Sequence, residues 1–470
     1  MRTAILNLSA LSTLLLAGCS FTTASGLSEC ETSAQCGTDM VCSNNFCLPQ
    51  PAGCDQRFGD VSADAVQIGA ALPLSLTTGP NPPKDSSEEA GLKGIRLALD
   101  AINSRSVAGK KLALTVCDTA ADLTITQKQV EWLVKEKKIV ALLTAGSSQT
   151  LAAAAFTLPA GVLTMSSSAT SPELTSREDN SKLGLLWRTS PSDAIQGKVI
   201  ANLLLADPEF SSAQRVGILY LKDAYGEGLF NVITEQLRLR GKAHRAALYE
   251  RQTNDLGPPL SQIDAFDPDI TVIVGFEDDV SRFIERAATS TNLKASDGHR
   301  WFFSDSAKDA ALLSNSGTRG PIVRSQISGA YGTAPAQGAG QAFNAFRSTY
   351  ISQYQGEDPS KFSFTSHAYD SMYLLGLAVA YSQGTTNAVT GIKMAEGLTK
   401  VSSGTTIELT STNVTQATTE LAAGRSINVE GASGNLTFDA AGEAPSPIEL
   451  WQVDLVENDF NTIRNVPPPP

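Results

Sequence analysis

The sequence has few histidines: three occur in 470 residues, and none precedes His244. No two of them stand at the spacing of metal ligands, so we expect no metal site built on histidine. Beyond the N-terminus, no segment has the ~20 continuous apolar residues of a membrane-spanning helix. Basic residues are also in the minority, with 36 Lys and Arg against 48 Asp and Glu. This net charge of −12 argues against binding to nucleic acid, because phosphate backbones are bound by clustered Lys and Arg.

Motifs of catalysis are scarce as well. No serine stands in a G-x-S-x-G elbow, and Gly109-Lys110 lacks the preceding glycine of a phosphate loop. His367 is better explained as a packing or capping residue than as a base, and no nucleophile accompanies Asp305 in sequence. We therefore expect a protein that is not an enzyme and needs no cofactor and no metal.

The N-terminus has the pattern of an export signal. Met1-Arg2 precedes the apolar stretch Ala10–Ala17, and the small residue Gly18 stands before Cys19. The segment 16–19, Leu-Ala-Gly-Cys, resembles the bacterial lipobox. That resemblance implies a signal peptide over residues 1–18, acylation of Cys19 and a lipid anchor that holds the protein to a membrane. An ordinary signal peptide that happens to end at a cysteine is the alternative.

This resemblance also implies where the protein resides. A lipid-anchored exported protein belongs to the cell envelope, facing the periplasm or sorted to the outer membrane. Ser20 follows the cysteine, and in Gram-negative lipoproteins a residue other than Asp at that place permits transfer to the outer membrane.

Six cysteines remain if Cys19 carries lipid, an even number for an oxidising compartment. They are Cys30, Cys36, Cys42, Cys47, Cys54 and Cys117. The first five lie in a segment rich in Gly, Ser and Pro that cannot form a hydrophobic core, which favours disulfides. A zinc knuckle is the alternative, but no histidine lies nearby. We predict two bridges among the first four cysteines, in any of three pairings, and a bridge from Cys54 to Cys117. Residues 19–64 then form a linker with a disulfide-rich module.

From residue 65 onward, strands alternate with helices. Apolar runs predict strands, and apolar residues at helical spacing predict the helices between them. With 42% hydrophobic residues and length for two or three domains, the chain can bury a large core. Alternating strands and helices predict parallel sheets with right-handed crossovers. The predicted strands are 66–72, 111–116, 139–143, 162–165, 216–220, 270–274 and 301–303; the predicted helices are 89–102, 126–136, 149–156, 195–205, 228–240, 280–288, 343–353 and 367–381.

Polar clusters follow several of these strands. They lie at 144–150, 166–174, 221–228 and 304–306. Open parallel sheets bind ligands beyond the carboxyl ends of their strands. Free N–H groups at a helix start, joined by serine hydroxyls, suit a carboxylate, and an acid such as Asp305 suits an ammonium group. Plain helix capping is the alternative for Ser171 and for part of the Ser147 and Ser148 pair.

The arrangement resembles the type I periplasmic binding proteins, specifically the branched-chain amino-acid class that serves ABC importers. The resemblance rests on the stretches Val66–Leu74, Ala90–Asn103, Gly146–Ala154, Met165–Thr175, Asp223–Leu229, Phe302–Ser306, Ala368–Leu375 and Gly431–Gly442. It implies an α/β fold with two lobes joined by three crossovers. Lobe one is then residues 65–188 and 325–436, lobe two is 189–324 and 437–464, and 465–470 is a proline-rich tail.

The resemblance also implies a ligand site between the lobes. The hydroxyl and backbone groups that hold the ligand carboxylate would come from Ser147, Ser148, Ser168 and Thr170. Asp305 would hold the ammonium group, with Phe276 and Tyr225 flanking the cleft. Phe276 departs from the family, which usually has Tyr there, and Glu277 and Asp278 follow it. The loop Ser75–Glu89 also looks longer than the first ligand loop of the family, so the ligand is not fixed by the resemblance.

The function that follows is capture of a small amino acid, or a related amide or polar solute, for an ABC importer whose permease is the partner. A surface sensor of the same fold that signals without transport is one alternative. In the other, the cysteine-rich segment is the working part, and binds a surface macromolecule.

Overall fold

The structure, a computed structural model, describes residues 28–32, 35–37, 40–43, 45–177 and 184–469. The chain divides into two compact units, residues 1–52 and 53–470. The predicted signal peptide and Cys19 lie outside the described residues. Among the helices of the described segments, none combines the length and the apolar character needed to cross a membrane.

The smaller unit contains an antiparallel hairpin and two disulfides. Its strands are β1 (Met40–Ser43) and β2 (Phe46–Pro49). Disulfides join Cys30 to Cys42 and Cys36 to Cys47. The prediction of two bridges among these four cysteines is therefore confirmed, in one of the three possible pairings.

The first sheet of the larger unit has six strands in the order β3-β5-β4-β6-β7-β8. All its pairs are parallel except β3 with β5. The central strands are mostly apolar and almost fully buried because both faces of a parallel sheet are covered. The strands are β3 (Gln56–Gly59), β4 (Val66–Leu72), β5 (Leu112–Asp118), β6 (Ala141–Thr144), β7 (Leu163–Ser166) and β8 (Leu186–Arg188), and the helices along them are α1 (Ser86–Asn103), α2 (Leu123–Lys135), α3 (Ser147–Thr157) and α4 (Pro172–Thr175).

Residues 53–64 belong to this larger unit, whereas the sequence placed them in the linker. Strand β3 pairs along the edge of the sheet, and the predicted disulfide from Cys54 to Cys117 is present beside it. The disulfide joins the start of the unit to β5, so it ties the first residues of the larger unit to its sheet.

The second sheet has seven strands in the order β10-β9-β11-β12-β13-β17-β18. Strands β9 to β13 pair parallel, and β17 and β18 add antiparallel strands at one edge. The strands are β9 (Arg215–Leu221), β10 (Ala243–Tyr249), β11 (Ile270–Val274), β12 (Arg300–Phe303), β13 (Tyr331–Pro335), β17 (Ile448–Asp454) and β18 (Asp459–Val466), and the helices are α5 (Asp193–Ala206), α6 (Ala224–Leu239), α7 (Gly257–Asp264), α8 (Glu277–Ala287) and α9 (Arg319–Ile327).

The chain between β13 and β17 returns to the first lobe. The 22-residue helix α11 is buried over most of its length and packs along α1 in the larger of the hydrophobic cores. Gly376 permits this close approach, since a Cβ there would lie 2.8 Å from Ile102. The elements are α10 (Gln341–Gln353), α11 (Thr365–Thr386), α12 (Gly391–Leu398), α13 (Val414–Ala422), β14 (Thr405–Glu408), β15 (Ile427–Gly431) and β16 (Gly434–Asn435), the last three forming a small separate sheet.

The two sheets and their helices form the two-lobed α/β fold that the sequence predicted. The chain crosses between the lobes after β8, after β13 and after β16. Strand β13 pairs within the second sheet, although the sequence assigned residues 325–436 to lobe one; we propose that the second crossover follows Pro335. Arg188 and Glu443 form a buried ion pair of 2.5 Å that joins the first and third crossovers.

Candidate ligand-binding site

A pocket lies between the two lobes, beyond the carboxyl ends of their parallel strands. It contains about 580 Å³ of empty space, part of it open to solvent. Lobe one lines it with Leu76, Lys84–Glu88, Gly146, Ser147, Ser168 and Phe364. Lobe two lines it with Tyr225, Phe276–Asp278, Ser306 and Asp309. This position is where open α/β sheets bind their ligands.

The start of α3 forms one wall because of a glycine. Gly146 follows β6 with a φ of 74°, a conformation that a side chain would strain, and a Cβ there would lie 2.7 Å from Gln149 Oε1. No side chain caps the first turn of α3. The N–H groups of this turn are therefore available to an anion such as a carboxylate.

Two of the predicted serines line the pocket beside this turn. The Ser147 hydroxyl accepts a hydrogen bond from the Ser171 N–H at 3.1 Å, and the Ser168 hydroxyl accepts one from the Gly146 N–H at 2.9 Å. Each hydroxyl oxygen accepts a hydrogen bond from a backbone N–H, so the hydroxyl proton remains available to donate. Both serines are placed to donate hydrogen bonds to a carboxylate at the start of α3.

The other two predicted hydroxyl residues lie outside the lining. Ser148 contacts lobe two: its Oγ accepts a hydrogen bond from the Ala224 N–H at 3.1 Å and lies 3.5 Å from Asp223 Oδ2. Thr170 is 1% exposed and lies beside Asp193, whose N–H donates to the Thr170 carbonyl at 2.8 Å. In this closed arrangement the two residues join the lobes instead of facing the pocket.

Asp305 lies one hydrogen bond behind the pocket wall. The hydroxyl of Tyr225, which lines the pocket, donates to Asp305 Oδ1 at 2.5 Å and lies 2.8 Å from Ser304 Oγ. Asp305 is fully buried, and among the described residues no well-oriented hydrogen bond reaches its Oδ2, although the side chain of Gln196 lies beside it. Burial raises the pKa of Asp305 to about 6. Such a carboxyl group has unused capacity for a hydrogen-bond donor.

Asp193 is a second buried acid beside Asp305, which the sequence did not single out. Burial and the nearby Asp305 raise the pKa of Asp193 well above its usual range. Asp193 is the first residue of α5, and acidic residues are common in the first turn of a helix. The sequence therefore gave no indication that this side chain is buried. Two carboxyl groups thus lie in the interior next to the wall formed by Tyr225.

Phe276 lines the pocket with an arginine stacked against its ring. The guanidinium carbon of Arg251 lies 4.0 Å from the ring centroid, and the Tyr225 ring lies 5.7 Å away. Arg251 also approaches Asp85 at 3.5 Å. Arg251 stands in a polar stretch between β10 and α7, and nothing in the sequence pointed to its place at the cleft.

Acidic groups dominate the outer part of the pocket. They come from the loop after β4 (Asp85 and Glu88), from the start of α8 (Glu277 and Asp278) and from Asp309. Burial raises the pKa of Glu88 and of Glu277 to about 8, and that of Asp309 to about 7. The sequence drew attention to the loop and to Glu277 and Asp278 as departures from the family, but it did not predict that they lie together.

Several contacts hold the lobes closed over the pocket. The Ser86 hydroxyl of lobe one lies 2.8 Å from both carboxylate oxygens of Asp309 in lobe two. The Ser363 hydroxyl donates to the Asp305 carbonyl at 2.7 Å, and the side chain of Gln252 donates to the Leu76 carbonyl at 2.5 Å. A ligand in the pocket would therefore contact both lobes.

Comparisons with solved structures agree with this architecture. The leucine-binding protein LivK of Thermotoga maritima superposes with a TM-score of 0.69 at 18% identity, over 86% of this chain and 99% of that one. LivJ of Streptococcus pneumoniae, solved with isoleucine, gives 0.64 at 20% identity, over 86% of this chain and all of that one. A solute-binding protein of R. palustris, solved with benzoate, gives 0.67 at 15% identity, over 86% and 97%. These likenesses support the fold.

Sequence comparisons find two relatives. A chemotactic signal transduction system substrate-binding protein, BasB of Halobacterium salinarum, is 27% identical over 60% of this chain. An amino acid binding protein of Pseudomonas aeruginosa is 28% identical over 41% of this chain. The matched regions span 61% and 47% of those two proteins. The family described as "receptor family ligand binding region" matches residues 91–455. The chain therefore belongs to that ligand-binding family.

Proposed function

We propose that this protein is an extracytoplasmic solute-binding protein that captures an amino acid or a related amine-bearing solute for an ABC importer. One observation carries the proposal: the pocket brings the uncapped start of α3, with Ser147 and Ser168, together with the Tyr225–Asp305 pair of the other lobe. The first group suits a carboxylate and the second an ammonium group. An α-amino acid carries both.

The proposed mechanism is closure of the two lobes on the ligand. Ser147 and Ser168 belong to lobe one, whereas Tyr225 and Asp305 belong to lobe two. Only the closed form makes both sets of contacts, so the ligand favours that form by its differential affinity. Ser148 and Thr170, which the sequence assigned to the ligand, would act by joining the lobes. A permease would then recognise the closed form.

A thermal-shift panel tests the proposal. The full chain, purified in mild detergent, is heated with each of the common amino acids and their amides, and with benzoate as a solute that lacks an amine. We expect a rise in the melting temperature with at least one amine-bearing solute, since a ligand that binds only the folded state stabilises it. A rise in the melting temperature with benzoate alone would exclude the amine assignment. So would the absence of a rise with every solute in the panel.

Sensing is the second candidate function, and one relative favours it. BasB is named as a substrate-binding protein of a chemotactic signal transduction system. Both functions use the same closure of the lobes on a solute. Uptake of the radiolabelled ligand by cells that lack this chain separates them: loss of uptake indicates transport, whereas normal uptake with loss of directed movement indicates sensing.

We also propose that Cys19 carries a lipid that holds the protein at the cell envelope. The proposal rests on the lipobox-like residues 16–19 and on the even number of cysteines left for disulfides. Metabolic labelling with an alkyne fatty acid tests it. A label that persists in the Cys19→Ser variant would contradict the anchor.

A further inference from the structure

The outer part of the pocket has more acidic than basic side chains, and an ammonium group there would favour the ionised form of these acids. Five carboxyl groups line it, and one basic residue, Lys84, does so. The Lys84 ammonium is engaged elsewhere, 3.0 Å from Ser75 Oγ and 3.6 Å from Asp118. Arg251 approaches from outside the lining and is paired with Asp85.

Four carboxyl groups then form no ion pair within the described residues. They are Glu88, Glu277, Asp278 and Asp309. Asp309 and Glu277 accept hydrogen bonds from the serine hydroxyls of Ser86 and Ser281. Lys308, the neighbour of Asp309, forms a buried ion pair of 2.6 Å with Glu449 instead. Glu88 and Asp278 receive no side-chain hydrogen bond within the described part of the chain.

The Phe276 ring contacts both parts of the pocket: the Tyr225 ring lies 5.7 Å from it, and the guanidinium carbon of Arg251, which approaches Asp85, lies 4.0 Å from it. Leu76 and the rings of Phe276 and Phe364 line the same pocket. A pocket with a carboxyl group behind one wall, apolar surface and further carboxyl groups suits an alkyl chain with a cationic group at each end. A neutral aliphatic amino acid would leave the outer carboxyl groups without a partner.

A single metal ion does not fit these carboxyl groups. A metal ion needs oxygen ligands that converge on one point. Within the described segments, no three of these acids bring their oxygen atoms within 4.8 Å of one another. The group that meets this distance is Cys30, Cys36 and Cys47, whose sulfur atoms form the two disulfides of the smaller unit. Acids spread along a pocket suit separate hydrogen-bond donors on a flexible solute.

We propose that the solute carries two ammonium groups on a flexible alkyl chain, one held at Tyr225 and Asp305 and the other at Glu88, Glu277, Asp278 and Asp309. This inference rests on the proposed function, because it places the first ammonium group at Asp305. Glu88 lies on lobe one and the other three outer acids lie on lobe two. The second ammonium group would therefore bridge the lobes and relieve the repulsion between their like charges as they close.

Two kinds of solute have this chemistry, basic amino acids and linear diamines, and paired probes distinguish them. Calorimetric titration of the full chain in mild detergent would use L-lysine, L-norleucine, cadaverine and n-pentylamine. Lysine differs from norleucine by the terminal ammonium, and cadaverine differs from lysine by the carboxylate. We expect lysine to bind roughly 10- to 100-fold more tightly than norleucine, the usual gain from a charged hydrogen bond. Cadaverine should bind more tightly than n-pentylamine by a similar factor.

Variants locate the effect in the acidic region. The Glu88→Gln and Asp278→Asn double variant should reduce the ratio of the norleucine Kd to the lysine Kd. Glu235→Gln is the matched control, because Glu235 is exposed on α6, and it should preserve that ratio. Removing like charges from a crowded cluster should not unfold the protein, which the melting temperature without ligand verifies.

The outcomes separate this inference from the proposed function. Tight binding of norleucine with no gain for lysine would overturn the inference and leave the proposed function standing. A lysine preference that survives in the double variant would also overturn it, as would binding of calcium chloride alone in the same titration. If none of the four amines bound, this inference would fail, and the thermal-shift panel would then decide whether the proposed function fails as well. A greater affinity for lysine than for cadaverine would assign the solute to the basic amino acids.

Discussion

At the scale of single residues, two features define the pocket: serine hydroxyls that can still donate a hydrogen bond, and a buried carboxyl group beside it that can still accept one. Ser147 and Ser168 accept hydrogen bonds from the backbone and so retain their own protons for a ligand. Asp305 Oδ1 accepts a hydrogen bond from the Tyr225 hydroxyl, whereas Asp305 Oδ2 has no well-oriented partner among the described residues. Under the proposed function, these three side chains would discriminate between the two ends of a zwitterion.

The sequence predicted part of this site. Ser147, Ser168, Tyr225 and Phe276 follow strand ends, and all four line the pocket. Ser148 and Thr170 also follow strand ends but face the other lobe, and no local pattern separates a hydroxyl that faces a ligand from one that faces the protein. Arg251 and Asp193 were missed because their environments depend on distant parts of the chain.

The buried acids make the stability of the ligand-free protein depend on pH. The pKa of Glu88 and of Glu277 is raised from 4.5 to about 8, so the folded protein holds protons that the unfolded chain has released. The free energy of unfolding should fall as the pH rises toward 8, because stability decreases where the folded state binds more protons. His299 and His367 have lowered pKa values in the folded protein but titrate at about 6.5 in the unfolded chain, which opposes this decline. The contribution of Glu88 and Glu277 is therefore the difference between the wild type and a variant that lacks both carboxyl groups.

Melting temperatures measured from pH 6.5 to about 8 test this prediction. The Glu88→Gln and Glu277→Gln double variant should show a shallower decline than the wild type, and Glu235→Gln should follow the wild type. An equal decline in all three proteins would show that other groups are responsible. The charged and titratable groups around these two acids are Asp85, Arg251, Asp278 and Asp309.

At the scale of elements, the apolar pattern predicted the central strands well and the edges poorly. β4 and β11 are largely apolar runs that lie inside their sheets. Strand β3 is an edge strand of four residues, of which Arg57 and Gly59 are exposed, so its sequence lacks a hydrophobic pattern. The same holds for β10, whose residues are largely exposed or half-buried. Edge strands are set by their pairing partners, which a local pattern does not reveal.

The disulfide at this edge should contribute strongly to the stability of the larger unit. Cys54 and Cys117 are 63 residues apart, and the chain-entropy model gives about 4 kcal/mol for closing a loop of that size. The Cys54→Ser and Cys117→Ser double variant should lower the free energy of unfolding of the larger unit by about that amount in urea.

A second pair of cysteines provides the control for that experiment. The disulfide between Cys36 and Cys47 lies in the smaller unit. Its removal should leave the main unfolding transition of the larger unit unchanged. An unchanged main transition in the Cys54 and Cys117 variant would mean that β3 is held by its strand pairing alone.

At the scale of the whole molecule, the fold brings two groups of residues that are distant in sequence to one pocket between the lobes. The three crossovers join the two lobes, and the Arg188–Glu443 ion pair fastens two of the crossovers to each other. The alternation of strands and helices predicted the parallel sheets, whereas the two lobes and the three crossovers were implied by the family resemblance. It did not fix where each crossover falls, since β13 is a short strand whose membership of the second sheet depends on its pairing with β12 and β17.

The affinity of the Asp305→Asn variant for the amine-bearing solute that binds the wild type tests the central claim most directly. Isothermal titration calorimetry of the two proteins, with Glu235→Gln as the control, measures it. Loss of a buried charged partner costs about 3–5 kcal/mol, so the Kd should rise on the order of 10²- to 10³-fold. An Asp305→Asn variant that melts at the wild-type temperature and binds the solute as tightly as the wild type would contradict the account.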